Sequence, residues 1–365
     1  MRTDDRPAID VALERVLRRF WHPVATMAEI TGTPKPLAVT LLGTELAVAI
    51  TPAGRVIALL DRCPHRSTRL SQGTVEHDSI RCAYHGWRFS SEGRCTEIPS
   101  MPDGPIPGRA CVSSFEGAIA YGLVWVRLEP HAATRIPPCA AWSDAVTPDP
   151  ELRVLAATPY QWPVGGLRRV ENFVDLSHFA WVHDGTLGRR DQPVPLVPEV
   201  RRADGALVFG YESPDMDPDG RALFGSQRYT MPMPLTVQIE FLQRTGARRV
   251  LWMTASPLTM SETRCFWFVA RNDALDDDDR DHLAFQDRVT AEDEPVVCNQ
   301  VPPALSLDPA AEMSVRTDLV SIEYRRFLRD LAKAADDPNA FGALLGRVVA
   351  EAPGNVTVAD AVAAQ

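Results

Sequence analysis

The period of the apolar positions changes along the chain, and those changes predict its elements. Between Asp10 and Phe20, Val11, Leu13, Val16, Leu17 and Phe20 recur near every 3.6 residues, which predicts a short helix. Trp21 to Ala25 then leads into extended structure. Leu37 to Ile50 and Val56 to Leu60 are aliphatic and β-branched runs broken by Gly43 and Pro52-Ala53-Gly54, so they read as strands joined by tight turns. Leu70 to Arg81 predicts a strand or hairpin, Trp87-Arg88-Phe89 a strand before the turn at Ser90 to Arg94, and Phe115 to Leu128 two strands around Gly117 and Gly122. Short strands at such close intervals point to a small antiparallel β-sandwich.

Pro130 to Pro150 is rich in Pro and Ala with little periodicity, and reads as a boundary. The expected organisation is a helix and lead-in over 1–38, a β-domain over 39–140 and a second domain over 151–365. In that second domain Tyr160 to Val164, Leu207 to Tyr211, Thr236 to Gln243, Val250 to Ser256 and Cys265 to Arg271 read as strands of one antiparallel sheet. Val170 to His183, Ala284 to Val297 and Met313 to Ala335 are helical by period, the last with Leu319, Ile322, Phe327, Leu328 and Leu331 as a buried stripe. Gln192 to Pro198 and Ser213 to Arg221 read as loops and as candidate lids. Separate β-rich and mixed regions make the fold class α+β.

Composition narrows the function. The net charge of −10 argues against a nucleic-acid or anionic-membrane partner. No run approaches the roughly 18 apolar residues of a membrane span, and Met1-Arg2-Thr3-Asp4-Asp5 lacks the apolar core of a signal peptide. The seven cysteines are odd in number and dispersed, unlike a disulfide framework, which favours a reducing cytoplasm. The run Asp276 to Asp279 reads as a solvated helix start rather than a calcium site. His22 has no partner at ligand spacing and reads as a packing or surface residue.

The strongest chemical signal lies inside the first β-region. It contains Cys63-Pro64-His65-Arg66 and Cys82-Ala83-Tyr84-His85-Gly86-Trp87, with sixteen residues between His65 and Cys82. Two loops that each offer one thiolate and one imidazole suit a [2Fe–2S] centre of mixed ligation, with two thiolates on one iron and two imidazoles on the other. Zinc also accepts two Cys and two His, although its sites usually keep like ligands together. The pattern resembles the Rieske cluster motif.

A second group of ligand types lies in Asn172-Phe173-Val174-Asp175-Leu176-Ser177-His178, followed by His183. Asn172, Asp175 and His178 recur every three residues, so they read as neighbours on one helix face. His183 falls about 140° round a regular helix from His178. Sharing a metal therefore requires the helix to end or widen between them, and Asp184-Gly185 suits an ending. The plainer alternative is two histidines at a half-buried helix end, with Asp175 as a surface charge. Two histidines with one carboxylate make an oxygen-activating iron site. The carboxylate is expected in Gln286 to Val297, where Asp293 is preferred because Val296 and Val297 place it beside a buried face, with Asp287 in reserve.

With both motifs in this order, the chain resembles the oxygenase component of the Rieske non-haem iron oxygenases over nearly its whole length. It is most similar to the vanillate and dicamba demethylases and toluenesulfonate methyl-monooxygenase. Tyr324-Arg325-Arg326-Phe327-Leu328 resembles the end of those enzymes, whereas Ser67 and Ala83 stand where they usually have Gly and Pro. The extra cysteines of respiratory Rieske proteins are missing beside the motif.

The resemblance implies a Rieske β-sandwich followed by a helix-grip catalytic domain. It implies a cluster held by Cys63, His65, Cys82 and His85, and mononuclear Fe(II) held by His178, His183 and Asp293. It implies an α₃ ring in which Asp175 bridges His85 of one subunit to His178 of the next, with Asn172 close to the iron. A separate NAD(P)H-dependent reductase, with or without a ferredoxin, would supply electrons. O₂ activated at the iron would hydroxylate or demethylate a small aromatic or cyclic substrate. The competing readings are ring cis-dihydroxylation on the same metals, and an electron carrier or redox sensor whose second domain only binds a ligand. Tyr160, Trp162, Tyr229, Phe266 and Trp267 fall on the predicted strands of the second domain, where core packing is the expected role.

Overall fold

The computed structural model describes residues 7–212, 225–244 and 246–346. The loop expected over Ser213 to Arg221 lies outside the described residues. Two compact units account for the rest, one of residues 18–136 and 142–148, the other of residues 7–17, 137–141 and 149–346. The first helix, α1 (Ala8–Leu17), therefore groups with the second unit rather than with the strands that follow it. Buried Asp10 joins it there, accepting hydrogen bonds from Leu307 N–H at 2.7 Å and Ser306 Oγ at 2.8 Å.

The first unit holds three small antiparallel sheets. One has β1 (His22–Thr26) beside β10 (Leu123–Arg127) and β9 (Glu116–Ala120), with the one-turn α2 (Met27–Ile30) leaving β1. His22 is buried on β1. A second meanders through β2 (Leu37–Leu41), β3 (Thr44–Ile50) and β4 (Val56–Leu60). The third runs β5 (Thr74–Glu76), β6 (Ser79–Arg81), β7 (Arg88–Ser90) and β8 (Cys95–Glu97). Ala47, Ile57, Leu59, Leu70, Ile80 and Phe89 pack into one core, and Cys63 and Cys82 are part of it.

The second unit is organised by one antiparallel sheet of eight strands. Its order is β11 (Arg153–Ala156), β18 (Glu262–Arg271), β17 (Arg248–Thr259), β16 (Thr236–Leu242), β15 (Ser226–Pro232), β14 (Ala206–Glu212) and β13 (Arg201–Ala203). The short β12 (Tyr160–Trp162) also pairs with β18. Helix α3 (Gly166–Val174) packs on β16, β17 and β18. The Gly165-Gly166 pair permits that approach, because a Cβ at Gly165 would lie 2.3 Å from the Met260 carbonyl oxygen.

Beyond α3 come the one-turn α4 (Phe179–Val182), the long α5 (Asp279–Val297), α6 (Leu319–Lys333) and α7 (Pro338–Leu344). The acidic run does start a helix, and the Asp278 carboxylate caps α5 by accepting the Arg280 N–H. The last long helix differs from expectation. It begins at Leu319 after a single 3₁₀ turn, and Val320 and Tyr324 fill the stripe that Leu319 and Ile322 were expected to fill. Leu319 and Ile322 are only half-buried. No helix among the described residues is long and apolar enough to cross a membrane.

An ion-pair network ties α3 to α6. Arg168, buried on α3, pairs with Glu312 at 2.5 Å, and Arg325 on α6 pairs with both Glu312 and Glu171 at 2.5 Å. The Arg168 guanidinium, with Arg325 beside it, holds Glu312 down at about 2 against its own burial. A depressed carboxylate stabilises the fold above its unfolded pKa, here 4.5, and that contribution is lost as pH falls from 4.5 towards about 2. Glu312→Gln is expected to cost about 1 kcal/mol at neutral pH, since Glu312 is partly solvated. In urea titrations the gap between the variant and the parent should close below pH 4 if the network acts this way.

Candidate metal centres

Each of the two Cys/His loops is a tight turn closed on its cysteine. The Cys63 carbonyl accepts the Ser67 N–H at 3.0 Å and the Cys63 N–H donates to Thr68 O at 2.8 Å. In the second loop the Cys82 carbonyl accepts the Gly86 N–H at 3.1 Å and the Cys82 N–H donates to Trp87 O at 2.8 Å. Side chains from outside fix both turns. Buried Asp61 accepts the Ser71 N–H and Oγ at 2.7 Å, and Arg81 donates to Gly86 O at 2.7 Å while paired with Glu76 and Glu97.

Both turns need one residue with positive φ, namely Gly86 at +71° and Ser67 at +59°. A serine there bears about 1–2 kcal/mol of strain that glycine avoids. Ser67 recovers part of it, since its Oγ accepts from Arg62 Nη2 at 2.9 Å and Nε at 3.1 Å. Ser67→Ala keeps the strain and loses those bonds, whereas Ser67→Gly loses both. The alanine variant is therefore expected to be less stable than the glycine variant by about 1 kcal/mol in urea unfolding.

The turns bring their histidines together. The rings of His65 and His85 lie 4.5 Å apart at 69°, and His65 stacks on Trp87 at 4.6 Å. His65 Nδ1 is buried without a hydrogen-bond partner, and burial pushes the Cys63 thiol up to about 11 with Cys82 close by. A pair of buried thiols beside an orphaned imidazole nitrogen is a poor arrangement for packing alone. The same donor set suits a metal cluster, which would displace the thiol protons.

In the second unit the expected helix over Val170 to His183 is interrupted, so Asn172, Asp175 and His178 do not share one continuous face. Asp175 ends α3 in an extended conformation, and its Oδ1 accepts the Ser177 N–H at 2.8 Å. That local bond competes with the helical one and turns the chain. His178 then opens α4 and His183 closes it. The His183 carbonyl accepts N–H groups from Thr186, Leu187 and Gly188 at 2.9–3.1 Å as the chain folds back through Gly185, whose φ is +80°. The two histidines thus cap opposite ends of a single helical turn, and their rings lie 5.0 Å apart.

Helix α5 brings the carboxylate. Its buried positions are Val289, Asp293 and Val297, spaced by four, while Val296 is 54% exposed. The expectation that Val296 helps to bury Asp293 is thus wrong, and Val289 takes that place. Asp287 is exposed. Asp293 Oδ1 lies 3.3 Å from His178 Nε2 and 3.2 Å from His183 Nε2. One ligand atom from each of these three residues falls within 4.8 Å of the others. His178 Nε2 is buried and not aligned for a hydrogen bond, as suits a lone pair directed at a metal. Two imidazoles and one carboxylate form the donor set of a facial non-haem iron site.

Each of these residues has a partner behind it. Asp175 Oδ2 lies 3.3 Å from His178 Nδ1. Glu292 Oε2 lies 2.7 Å from His183 Nδ1, and its other oxygen accepts from Thr186 Oγ1 at 2.8 Å. Asn172 Nδ2 donates to Asp293 Oδ1 at 3.1 Å, and buried Arg169 reaches Asp293 Oδ2 at 3.4 Å. Burial disfavours protonation of His178, but Asp175 and Asp293 outweigh it and push the imidazole up to about 9. Burial likewise opposes ionisation of Asp293, yet the two imidazoles and Arg169 hold it well below the usual carboxylate range. Thr186 and Arg169 carry no signal of these roles in the chain, and Glu292 lies within the candidate carboxylate stretch without a role of its own. The only clue in the chain was that Glu292 adjoins Asp293.

Comparison with known proteins agrees with this geometry. Residues 20–116 match the Rieske [2Fe-2S] domain family, and residues 167–334 match the vanillate O-demethylase oxygenase C-terminal domain family. The methylxanthine N1-demethylase NdmA of Pseudomonas putida is 40% identical over 325 residues, covering 87% of this chain and 90% of that one. The methylxanthine N3-demethylase NdmB of the same organism is 38% identical, with 87% and 90% covered. The solved structure of Pseudomonas putida NdmA with caffeine superposes at a TM-score of 0.84 over 94% of this chain and 99% of that one, at 37% identity. Coverage that extends across both units at this identity makes the chain an oxygenase component of the Rieske non-haem iron oxygenases, an α+β enzyme family that carries a [2Fe–2S] cluster and a mononuclear iron.

Proposed function

We propose that Cys63, His65, Cys82 and His85 hold the cluster, and that His178, His183 and Asp293 hold the mononuclear iron of a demethylating monooxygenase. The observation that carries this reading is the approach of both histidine Nε2 atoms to one oxygen of Asp293, at 3.3 and 3.2 Å. When bound, the two centres supply one-electron transfer and oxygen activation. The protein's own groups orient the site. Asp175 and Glu292 fix the tautomers of His178 and His183 by engaging their Nδ1 atoms, so that each ring offers Nε2. Asn172 stands beside Asp293 at the same place.

Electrons come from a separate reductase, and the substrate is a small organic molecule oxidised with O₂. We assign the substrate to small heterocycles bearing an N-methyl group, since two relatives covered over 90% of their length are named as N-demethylases. Hydroxylation of such a methyl carbon leaves an N-hydroxymethyl group that loses formaldehyde. The assembly is an α₃ ring in which Asp175 links the cluster of one subunit to the iron of the next. Its place is a reducing cytoplasm, in keeping with seven cysteines that form no disulfide.

The test is a single turnover. Protein with both metals is reduced by dithionite, freed of excess reductant and mixed with ¹⁸O₂ and caffeine, or with vanillate as the O-methyl comparison. Formaldehyde formed in step with a demethylated xanthine is expected. A product retaining its methyl groups and carrying two labelled hydroxyls would replace this reading with ring dihydroxylation.

A further inference from the structure

Arg169 has no part in the reading above, yet it is 2% exposed and placed against the proposed iron ligands. Its guanidinium lies over the rings of Trp162, Phe173 and Tyr160, at 4.9, 5.1 and 5.8 Å from their centroids. Nε donates to Tyr160 Oη at 2.8 Å, and Nη1 donates to Asn172 Oδ1 and lies 3.4 Å from Asp293 Oδ2. A buried cation is costly unless paired, and the nearby carboxylate is Asp293. Resting on the ligand assignment above, we propose that Arg169 is a positioning residue that makes Asp293 a one-oxygen ligand.

Donor and acceptor inventory fixes how these three side chains meet. A guanidinium only donates and an ionised carboxylate only accepts. Asn172, held between them, must turn its carbonyl to Arg169 and its amide to Asp293, as observed. Arg169 therefore sets the Asn172 amide and engages Asp293 Oδ2 at the same time. Oδ1 is left as the oxygen that faces both histidine Nε2 atoms. With Oδ2 held back, the carboxylate cannot close onto a metal through both oxygens. A metal held there would then keep one more position open than a chelating carboxylate would leave. The Tyr160 hydroxyl, on β12, anchors the far side of the guanidinium and keeps it from swinging away.

The test uses full-length protein carrying its cluster, stripped of mononuclear iron by chelation and titrated with Co(II). The binding isotherm is read together with infrared difference spectra of protein labelled with ¹³C-aspartate. The parent protein should show the wide separation of antisymmetric and symmetric carboxylate stretches typical of one-oxygen ligation. R169M should bind Co(II) about 10–100-fold more weakly and show a narrower separation. R169K should recover part of the affinity but not the separation, because an ammonium cannot reach Tyr160 and Asp293 in the same fork. If R169M loses its cluster absorbance or its fold, Y160F decides, and it should move both readouts in the same direction. Parent-like affinity and separation in a folded R169M, or in Y160F when it must decide, would overturn the role of Arg169 alone. A parent without a saturable Co(II) site, or D293A binding as the parent does, would instead overturn the ligand assignment and this proposal with it.

Discussion

Asp293→Ala is expected to lower the iron content from three to two per chain and to reduce turnover by about 1,000-fold or more, while the cluster spectrum stays unchanged. The metal accounts for several kcal/mol of catalysis, and each 1.36 kcal/mol is tenfold in rate. Two imidazoles without the carboxylate are a weak site. In addition, Arg169 would remain buried next to them with its anionic partner gone. An uncompensated cation 2% exposed at that position repels any incoming metal ion. Asp287→Ala is the control, because Asp287 is exposed and should leave iron content and turnover as they are. Iron counting with the cluster absorbance checks both variants. Loss of the third iron in the Asp287 variant but not in the Asp293 variant would reverse the ligand choice.

Asp175→Asn is expected to weaken iron binding at His178, keeping all three irons when Fe(II) is saturating, and to slow reoxidation of the reduced cluster by about 100-fold, the upper end of what loss of such a carboxylate partner costs. The carboxamide oxygen can still accept the Ser177 N–H, so the break between α3 and α4 that places His178 survives. What changes is the group facing His178 Nδ1, where an acceptor becomes an amide donor. The imidazole loses the anion that orients it, and the proposed bridge to the neighbouring cluster loses its charge. Stopped-flow monitoring of the cluster after mixing reduced protein with O₂ and substrate measures the effect. Asp175→Ala frees the Ser177 N–H as well and is expected to lose the mononuclear iron. Reoxidation at the parent rate in the asparagine variant would remove Asp175 from the electron path.

The parts of the site legible in the chain were those whose spacing is short. The two Cys/His loops are tight turns, so ligand order, turn residues and ring neighbours all lie within a few positions of one another. Ser67 could be marked as unusual for the same reason, and its φ of +59° shows why glycine suits that position. The strand runs of both units were readable because apolar alternation and turn residues are local signals. The long α5 was readable by period, but its buried face was misjudged. Val289, Asp293 and Val297 face inward and Val296 does not, because the packing partner of that helix lies in residues far away in the chain.

The interruption at Asp175 shows the limit most clearly. Periodicity sees Asn172, Asp175 and His178 as one helical stripe, and a single Asx-type bond from Asp175 to Ser177 overrides it. Arg169 shows a second limit. By composition it is an arginine on a helix with no aromatic or acidic neighbour at helical spacing except Phe173. Its enclosure by Trp162 and Tyr160 from β12, and its contact with Asp293 from α5, arise only when three separate segments meet.

By itself the sequence determined the candidate ligand types, their order and much of the strand and helix content, because each depends on residue chemistry and on neighbours within a turn or two. Only the tertiary structure decided which carboxylate lies against the two histidines, which oxygen of it faces them, and which side chains stand behind all three. Those matters depend on where long-range packing sets α3, α4 and α5 against one another, and a step of one residue along α5 from Asp293 to Glu294 exchanges a buried acid for an exposed one.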